Sequence, residues 1–210
     1  MALLGFFRRS PPIRDLQALA DFIDEQAAFL IQKGLFEYSR ARAGHYAKTM
    51  VKEPEFQGAV NISRWRAYPL GLAMVGEMAE GVLRPLTGRE RTGTRSAYDA
   101  YVDLVLSVFD RYATPKEMGE QNWGDARSEL ALLLEQISLH PPKRVIDIPV
   151  PYAKRYFGLM PIHKNLLTND EPTTLSFLKL NLVNIREELV KRMDATVIAA
   201  QLREAAEKKN

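Results

Sequence analysis

Two acidic residues, Glu77 and Glu80, lie in a mostly apolar stretch of the sequence, WRAYPLGLAMVGEMAEGVL at residues 65–83. Carboxylates in such a setting can serve as general acids or bases, or as metal ligands. Residues 67–76 carry no charge, and a helix that is apolar on most of its circumference belongs inside a bundle. The glutamates interrupt the stretch too soon for it to span a bilayer, which needs about 20 apolar residues. The stretch therefore predicts a core helix that carries two acids.

The two glutamates differ in the partners that the local sequence offers. Glu80 stands four residues before Arg84, which is the favourable order for an ion pair on a helix. Glu77 has no such neighbour, and a buried carboxylate needs a cation or hydrogen-bond donors from elsewhere. A structural pair with a distant arginine, such as Arg64 or Arg111, is one interpretation of Glu77. A catalytic or metal-binding role is the other.

A loop rich in arginine, RPLTGRERTGTRS at residues 84–96, follows the core helix. Its net charge of +3 equals that of the whole chain, so the remainder sums to zero. Arginine can hold a phosphate or carboxylate through two parallel hydrogen bonds, and the exposed amides of the next helix favour anions. The residues of this predicted anion site are Arg84, Arg89, Arg91, Thr94, Arg95 and Ser96. The alternative is a solvated connector whose arginines pair with acids such as Asp99 and Asp103.

Signatures of common enzyme classes are missing from the sequence. It has no G-x-S-x-G, no Walker loop and no G-x-G-x-x-G. His45, His140 and His163 are far apart and none lies in a Glu-x-x-His pattern, so no metal site is predicted. The absence of cysteine excludes thiolate chemistry and a disulfide framework. No cofactor is therefore expected, and enzymatic activity has little support.

The first twelve residues predict a tail that is flexible or docks on the surface of the protein. Its apolar residues are Leu3, Leu4, Phe6 and Phe7, and two arginines follow. A peripheral membrane contact, with the arginines on lipid phosphates, is one interpretation; a tail that is disordered or packs on the body is the other. The apolar part is shorter than that of a signal peptide, and the lack of cysteine is compatible with a reducing compartment. We therefore expect a cytoplasmic protein, with peripheral membrane association as the alternative.

Nucleic-acid binding has weak support in the sequence. Aromatic and basic residues alternate at residues 39–46 and 63–68, and such residues can stack on bases. At helical spacing, however, aromatic residues more often line a core or a groove. Because the charge outside the arginine-rich loop is balanced, no specific nucleic acid is expected as a partner.

Apolar residues at spacings of three and four predict helices over most of the chain. The predicted helices cover residues 11–33, 35–51, 54–68, 69–83, 96–112, 152–159 and 173–207, and a further helix begins at the capping box of residues 114–117. The only segment of extended character is KRVIDIPVP at 143–151, a connector or a lone edge strand. No fixed-period repeat occurs. The prediction is an all-α, single-domain bundle of about eight to ten helices over residues 13–210, with a long C-terminal helix.

The C-terminal helix predicts self-association. Its seam consists of Leu175, Leu178, Leu182, Ile185 and Leu189, extended by Met193 and Val197, with Asp194 as a point of interruption or capping. A second apolar edge consists of Phe177, Leu180 and Val183. A helix inside a monomer needs only one covered stripe, so the second edge is predicted to face a second copy, through the segment Leu175–Val197. The alternative is that one chain buries both edges in a groove.

Two functional hypotheses follow from these features. The first is a non-enzymatic helical interaction or scaffold protein that self-associates. The second is a helical pocket protein that binds or hydrolyses a small anionic or lipid-like ligand near the arginine-rich loop at 84–96. A closed pocket on which Glu77 or arginines converge favours the second hypothesis, and a flat exposed apolar patch favours the first.

Overall fold

The computed structural model describes residues 11–88, the backbone of residues 91–92, and residues 95–162 and 170–208. These residues form seven α-helices of eight or more residues, a single-turn α-helix, a three-residue 3₁₀ helix (Gly44–Tyr46) and two paired two-residue strands. The helices are α1 (Leu16–Ala43), α2 (Ala47–Met50), α3 (Pro54–Thr87), α4 (Ala97–Phe109), α5 (Glu120–Ile137), α6 (Val150–Phe157), α7 (Glu171–Arg192) and α8 (Ala195–Glu207). The strands β1 (Arg91–Thr92) and β2 (Arg95–Ser96) pair antiparallel. The predicted all-α, single-domain bundle is confirmed.

Helix α3 forms the centre of the bundle. Every residue from 67 to 80 is buried, and Leu72, Val75 and Leu83 are each at most 1% exposed. The helix packs along α1 and also contacts α4, α5, α7 and α8. A helix surrounded in this way has little solvent-facing side, which is why its sequence can be apolar on most of its circumference. The predicted core helix is confirmed.

The predicted helix break at Pro69 is wrong. Helix α3 runs without interruption through both Pro69 and Pro85. A proline in a helix interior removes a backbone hydrogen bond and costs about 3 kcal/mol. Pro69 is buried between apolar neighbours, and this packing offsets the cost. Tertiary contacts therefore override the local signal.

The boundaries of the first helix also differ from the prediction. Helix α1 begins after residues 11–15, where the Asp15 side chain accepts a hydrogen bond from Ala18 N at 2.7 Å. It then continues through Gly34 instead of ending there. A Cβ atom at Gly34 would meet Tyr156 Oη at 2.3 Å and Phe177 Cε1 at 2.8 Å, so close packing explains this glycine.

Close contact between α1 and α3 depends on Gly71. A Cβ atom there would lie 2.8 Å from Ile31 Cγ1 and 2.9 Å from the backbone oxygen of Ala27. Gly71→Ala is therefore expected to push the helices apart and to lower the free energy of unfolding by about 1–3 kcal/mol. Gly58→Ala is the matched control in the same helix, because a Cβ there meets nothing within 4 Å; it is expected to stabilise by about 0.5–1 kcal/mol. Urea unfolding measures both effects, and equal shifts would contradict a close contact at Gly71.

The helix predicted to begin at residues 114–117 starts later. Residues 116–118 form a turn in which Met118 N donates to Pro115 O at 2.9 Å. Gly119 then takes a positive φ of 71°, which favours glycine, and α5 follows it. The capping-box sequence therefore makes a turn before the helix and does not cap the helix itself.

Of the two alternatives predicted for residues 143–151, the edge strand is wrong, and most of the segment is a connector. Residues 145–149 form turns, in which Asp147 N donates to Arg144 O at 2.8 Å, and α6 begins immediately afterwards. Pro149 has helical backbone angles, and Pro151 lies in the first turn of α6, where its missing N–H costs nothing. The two prolines therefore start a helix.

The predicted C-terminal helix is divided in two at Met193 and Asp194. Met193 has extended backbone angles (φ −85°, ψ 129°), and the Asp194 side chain accepts a hydrogen bond from Val197 N as α8 begins. Ile13 pairs with the break: its N donates to Arg192 O at 2.9 Å, and its O accepts from Asp194 N at 3.0 Å. We call this pairing the Ile13 bridge. It joins the segment before α1 to the junction of α7 and α8.

The predicted membrane contact falls outside this description, because Leu3, Leu4, Phe6 and Phe7 are not among the described residues. Pro11 and Pro12, the first described residues, are exposed. Within the described chain, no helix is both long and apolar enough to cross a bilayer.

Candidate functional site

Two clefts open on different faces of α5. The first, which we call the Glu80 cleft, has a volume of about 720 Å³ and lies between α5, α4, β2 and the C-terminal part of α3. The second, the Glu77 cleft, has a volume of about 300 Å³ and lies between α5, α6 and the middle of α3. Glu77 is 3% exposed and Glu80 is 5% exposed. The two acids singled out in the sequence are thus buried, one in each cleft.

Glu80 forms a fully hydrogen-bonded ion pair with Arg84. Arg84 Nε donates to Glu80 Oε1 at 2.6 Å and Nη2 donates to Oε2 at 2.6 Å. The same guanidinium donates to the backbone oxygens of His140 at 2.6 Å and Ile137 at 3.0 Å. The last carbonyls of a helix have no partner within the helix, so Arg84 satisfies the C-terminal end of α5. This pair holds α5 against α3.

The predicted anion site at 84–96 is described only in part. Arg89 and Thr94 lie outside the described residues, and only the backbone of Arg91 is described, in β1. Arg95 donates to Asp103, and Ser96 caps α4 in a capping box with Asp99. Arg84, Arg95 and Ser96 all line the Glu80 cleft, in which the described carboxylates are Glu80, Asp99, Asp103 and Glu135. Anion binding by this loop stays a prediction.

Glu77 is compensated by a lysine, Lys143. Lys143 Nζ lies 2.8 Å from Glu77 Oε1. The predicted pairing of Glu77 with Arg64 or Arg111 is wrong, because both arginines interact with other residues. Arg64 donates to Asn61 Oδ1 at 2.8 Å, and Arg111 pairs with Asp21 and Asp24.

The carboxylate of Glu77 lacks directed hydrogen bonds. The approach of Lys143 is outside hydrogen-bond geometry, and no other described group donates to Oε1 or Oε2, both of which are shielded from solvent. Glu80, in contrast, accepts two directed bonds from one arginine. A buried carboxylate without donors costs folding free energy, so a group in this condition needs an explanation.

Tyr152 adds a second polar group to the Glu77 cleft. It is buried and lines the cleft. Burial raises the pKa of its hydroxyl above the ordinary value of 10, and the negative charge of Glu77 raises the pKa further. The hydroxyl therefore keeps its proton at neutral pH. It donates to no other described residue, so its hydrogen is available inside the cleft.

The rest of the Glu77 cleft combines a charged pair with an apolar wall. Arg155 pairs with Glu129 through two contacts, of which Nη2–Oε2 is 2.7 Å long. The apolar lining comes from Leu133, Ile137 and Pro151. Apart from His140, the lining contains two acids and two bases, whose formal charges balance.

Lys143 and Tyr152 are the polar residues beside Glu77 that sequence reasoning missed. Of these, Lys143 is the cation that pairs with Glu77. It is far from Glu77 in the chain, and no helical spacing connects the two. Pro141 and Pro142, which end the preceding segment, bring the chain back across α3: a Cβ atom at Gly81 would lie 3.9 Å from Pro142 Cβ. A path of this kind is set by the tertiary fold and has no signature in the local sequence.

A partly buried aromatic cluster lies away from both clefts. Asp24 accepts hydrogen bonds from the hydroxyls of Tyr68 at 2.7 Å and Tyr112 at 2.8 Å. Trp65 packs edge-on against both rings and against Trp123. The aromatic residues of 63–68, considered above for base stacking, therefore belong to the packing of the bundle.

The structure and the comparisons with known proteins add no assigned site. Among the described residues, no group of three histidine, aspartate or glutamate side chains is placed to hold a metal ion. No protein-family model, no curated protein and no solved structure matches the chain. The Glu77 cleft is thus the candidate site on its own chemistry.

Proposed function

We propose that the protein is a helical pocket protein that binds a small ligand with a primary ammonium group in the Glu77 cleft. The observation that carries the proposal is the buried Glu77 carboxylate, which has one cation beside it and no directed hydrogen bond. Buried polar groups in native proteins are nearly always hydrogen-bonded, and a functional role is one explanation of an exception. An ammonium group has three donors and a positive charge, so it supplies both missing interactions.

The ligand reaches Glu77 by replacing Lys143. The Lys143 side chain is 32% exposed, and its ammonium stands at the end of a flexible four-carbon stem, so it can turn away from Glu77 while it stays at the edge of the cleft. A ligand ammonium can then approach the carboxylate from the direction that its hydrogen bonds require. Lys143 thus occupies the position of the ligand in the free protein and keeps the buried charge compensated.

This proposal keeps the helical pocket protein of the second sequence hypothesis, but it changes the chemistry of the ligand and the place where the ligand binds. The sequence placed a small anionic or lipid-like ligand near the arginine-rich loop at 84–96. In the Glu80 cleft beside that loop, Arg84 is engaged by Glu80 and by two backbone oxygens. The Glu77 cleft, on another face of α5, has the carboxylate without donors. A ligand with donor groups fits it better than an anion.

Chemical rescue tests the proposal. Lys143→Ala leaves the buried Glu77 charge without a cation and is expected to lower the free energy of unfolding by about 1–3 kcal/mol. Methylammonium, which replaces the deleted group, is expected to raise the melting temperature of this variant in a saturable way. Tetramethylammonium at equal ionic strength has no N–H group and is expected to leave it unchanged.

Two variants control this experiment. Glu77→Gln combined with Lys143→Ala removes the charge that recruits the amine, so rescue is expected to disappear. Lys154→Ala removes an exposed lysine on α6 that does not line the cleft, and no loss of stability is expected. Lys143→Ala with unchanged stability, or rescue that persists without Glu77, would overturn the proposal.

A specific observation also supports the first sequence hypothesis, and we propose self-association through α7 as a second function. Leu180 is 63% exposed and Val190 is 49% exposed. With Val183, which is half-buried, they recur at spacings of three and seven and so lie on one face of the helix. Phe177, predicted to belong to this edge, packs against the core instead. The sequence predicted an interface over the whole segment Leu175–Val197. We restrict the proposed interface to the stripe formed by Leu180, Val183 and Val190.

Light scattering tests self-association. If the stripe forms the interface of a dimer, Leu180→Glu with Val190→Glu is expected to give a folded monomer, because two buried charges would face their copies across a two-fold axis. Leu139→Glu changes a residue after α5 that is 80% exposed, and it serves as the control. A monomeric wild-type protein contradicts the proposal.

A further inference from the structure

We infer that the ligand of the Glu77 cleft is a small zwitterion, with a carboxylate in addition to the ammonium group. This inference rests on the proposed function and names the class of its ligand. It follows from three properties of the cleft: its charge balance, the donors left beside Glu77, and its size and apolar wall.

The charge balance requires a negative group on the ligand. In the free protein Glu77 faces Lys143, and Glu129 faces Arg155, so the four charges compensate each other. A simple amine that takes the place of Lys143 at Glu77 leaves the lysine ammonium without a partner and adds a positive charge to the cleft. A zwitterion brings its own carboxylate, and the displaced ammonium can pair with it. Each charged group in the cleft then still has a partner of opposite charge, as in the free protein.

The donors beside Glu77 fit a carboxylate. The Tyr152 hydroxyl is protonated, lines the cleft and donates to no other described residue. A carboxylate accepts up to four hydrogen bonds, and bonds to a charged acceptor are about twice as strong as neutral ones. Tyr152 and the displaced Lys143 therefore supply two donors for one carboxylate.

Size and shape restrict the carbon skeleton of the ligand. A volume of about 300 Å³ is at the lower end of the range for small-molecule sites. The wall between the charged groups is apolar, formed by Leu133 and Ile137. A short hydrocarbon segment that joins an ammonium to a carboxylate fits this arrangement. Amino acids with the amino group at the α position or further along the chain share this chemistry.

The test compares zwitterions with their single-charge analogues on the wild-type protein. Glycine, β-alanine and 4-aminobutyrate are titrated in a calorimeter beside propylammonium and propionate. We expect at least one zwitterion to bind about ten-fold more tightly than propylammonium, the gain that one added charge-assisted hydrogen bond typically gives. Propionate is expected not to bind, because Glu77 repels it.

Two variants assign the interactions. Tyr152→Phe removes only the hydroxyl and is expected to weaken the zwitterion about ten-fold while leaving propylammonium unchanged. Lys143→Ala is expected to remove the advantage of the zwitterion over the amine. Glu77→Gln is expected to abolish binding of both. The wild-type and Tyr152→Phe measurements decide the inference even where Lys143→Ala does not fold.

The outcomes separate this inference from the proposed function. Propylammonium that binds through Glu77 as tightly as any zwitterion overturns the inference and leaves the proposed function standing. A zwitterion whose affinity does not change in Tyr152→Phe also overturns the inference. Absence of binding by every probe, or binding that survives Glu77→Gln, overturns both.

Discussion

Replacing Arg84 with methionine is expected to lower the free energy of unfolding by about 3–5 kcal/mol, the cost of breaking a buried ion pair by removing one partner. Glu80, which is 5% exposed, would lose the guanidinium that compensates it. The backbone oxygens of Ile137 and His140 would lose their donor as well. Urea unfolding followed by far-ultraviolet circular dichroism measures the loss.

The control for Arg84 is an ion pair on the surface of the protein that is also joined by two hydrogen bonds. Arg127 donates to both oxygens of Asp110, at 2.6 and 2.7 Å, but both side chains are more than 40% exposed. Arg127→Met is expected to cost less than about 1 kcal/mol. Replacing Glu80 and Arg84 together with methionine removes the stranded charge and is expected to recover most of the loss. Equal effects of Arg84→Met and Arg127→Met would contradict the role given to burial.

Raising the pH above 10 is expected to unfold the protein in one cooperative step. Four tyrosines are buried (Tyr68, Tyr101, Tyr152 and Tyr156) and a fifth, Tyr98, is half-buried. Burial raises the pKa of each above the ordinary value of 10. Above pH 10 the unfolded chain releases these protons while the folded chain keeps them, so stability falls as the pH rises. Below pH 10 both states are protonated, and these groups contribute no pH dependence.

The size of this effect follows from linkage. Each tyrosine contributes about 1.4 kcal/mol per pH unit, so the five together remove about 7 kcal/mol per unit. Domains are stable by about 5–15 kcal/mol, and we therefore expect unfolding within about two units above pH 10. Phenolate absorbance and helical circular dichroism, recorded on the same samples, should change together. Phenolate that forms gradually while the helices persist would contradict the burial of these hydroxyls.

The parts of the fold that the sequence predicts are those whose signal is local. The charge-free run of residues 67–76 identifies the core helix, because burial on all sides leaves no place for charges. The pairing of Glu80 with Arg84 depends only on a spacing of four residues along one helix. Both features depend on neighbours in sequence, so composition and periodicity are enough.

The parts that the sequence does not predict depend on distant contacts. Pro69 stays in a helix because the surrounding bundle stabilises it there. Gly71 lies where α1 approaches closely, which no local pattern indicates. The pairing of Lys143 with Glu77 joins two segments that meet only in the folded chain. The candidate site was therefore half predicted: the acid was identified, and its cation, its tyrosine and its cleft were not.

The Ile13 bridge affects how the protein folds during synthesis. The ribosome delivers residues 11–15 long before residues 192–194, whose backbone groups pair with Ile13. Helix α8, which covers parts of α3 and α4, is also translated late. Until these segments emerge, the nascent chain exposes an apolar surface of the kind that aggregates or recruits chaperones. The bundle therefore cannot complete its assembly until residues 192–194 have left the ribosome, when both sides of the bridge first exist together.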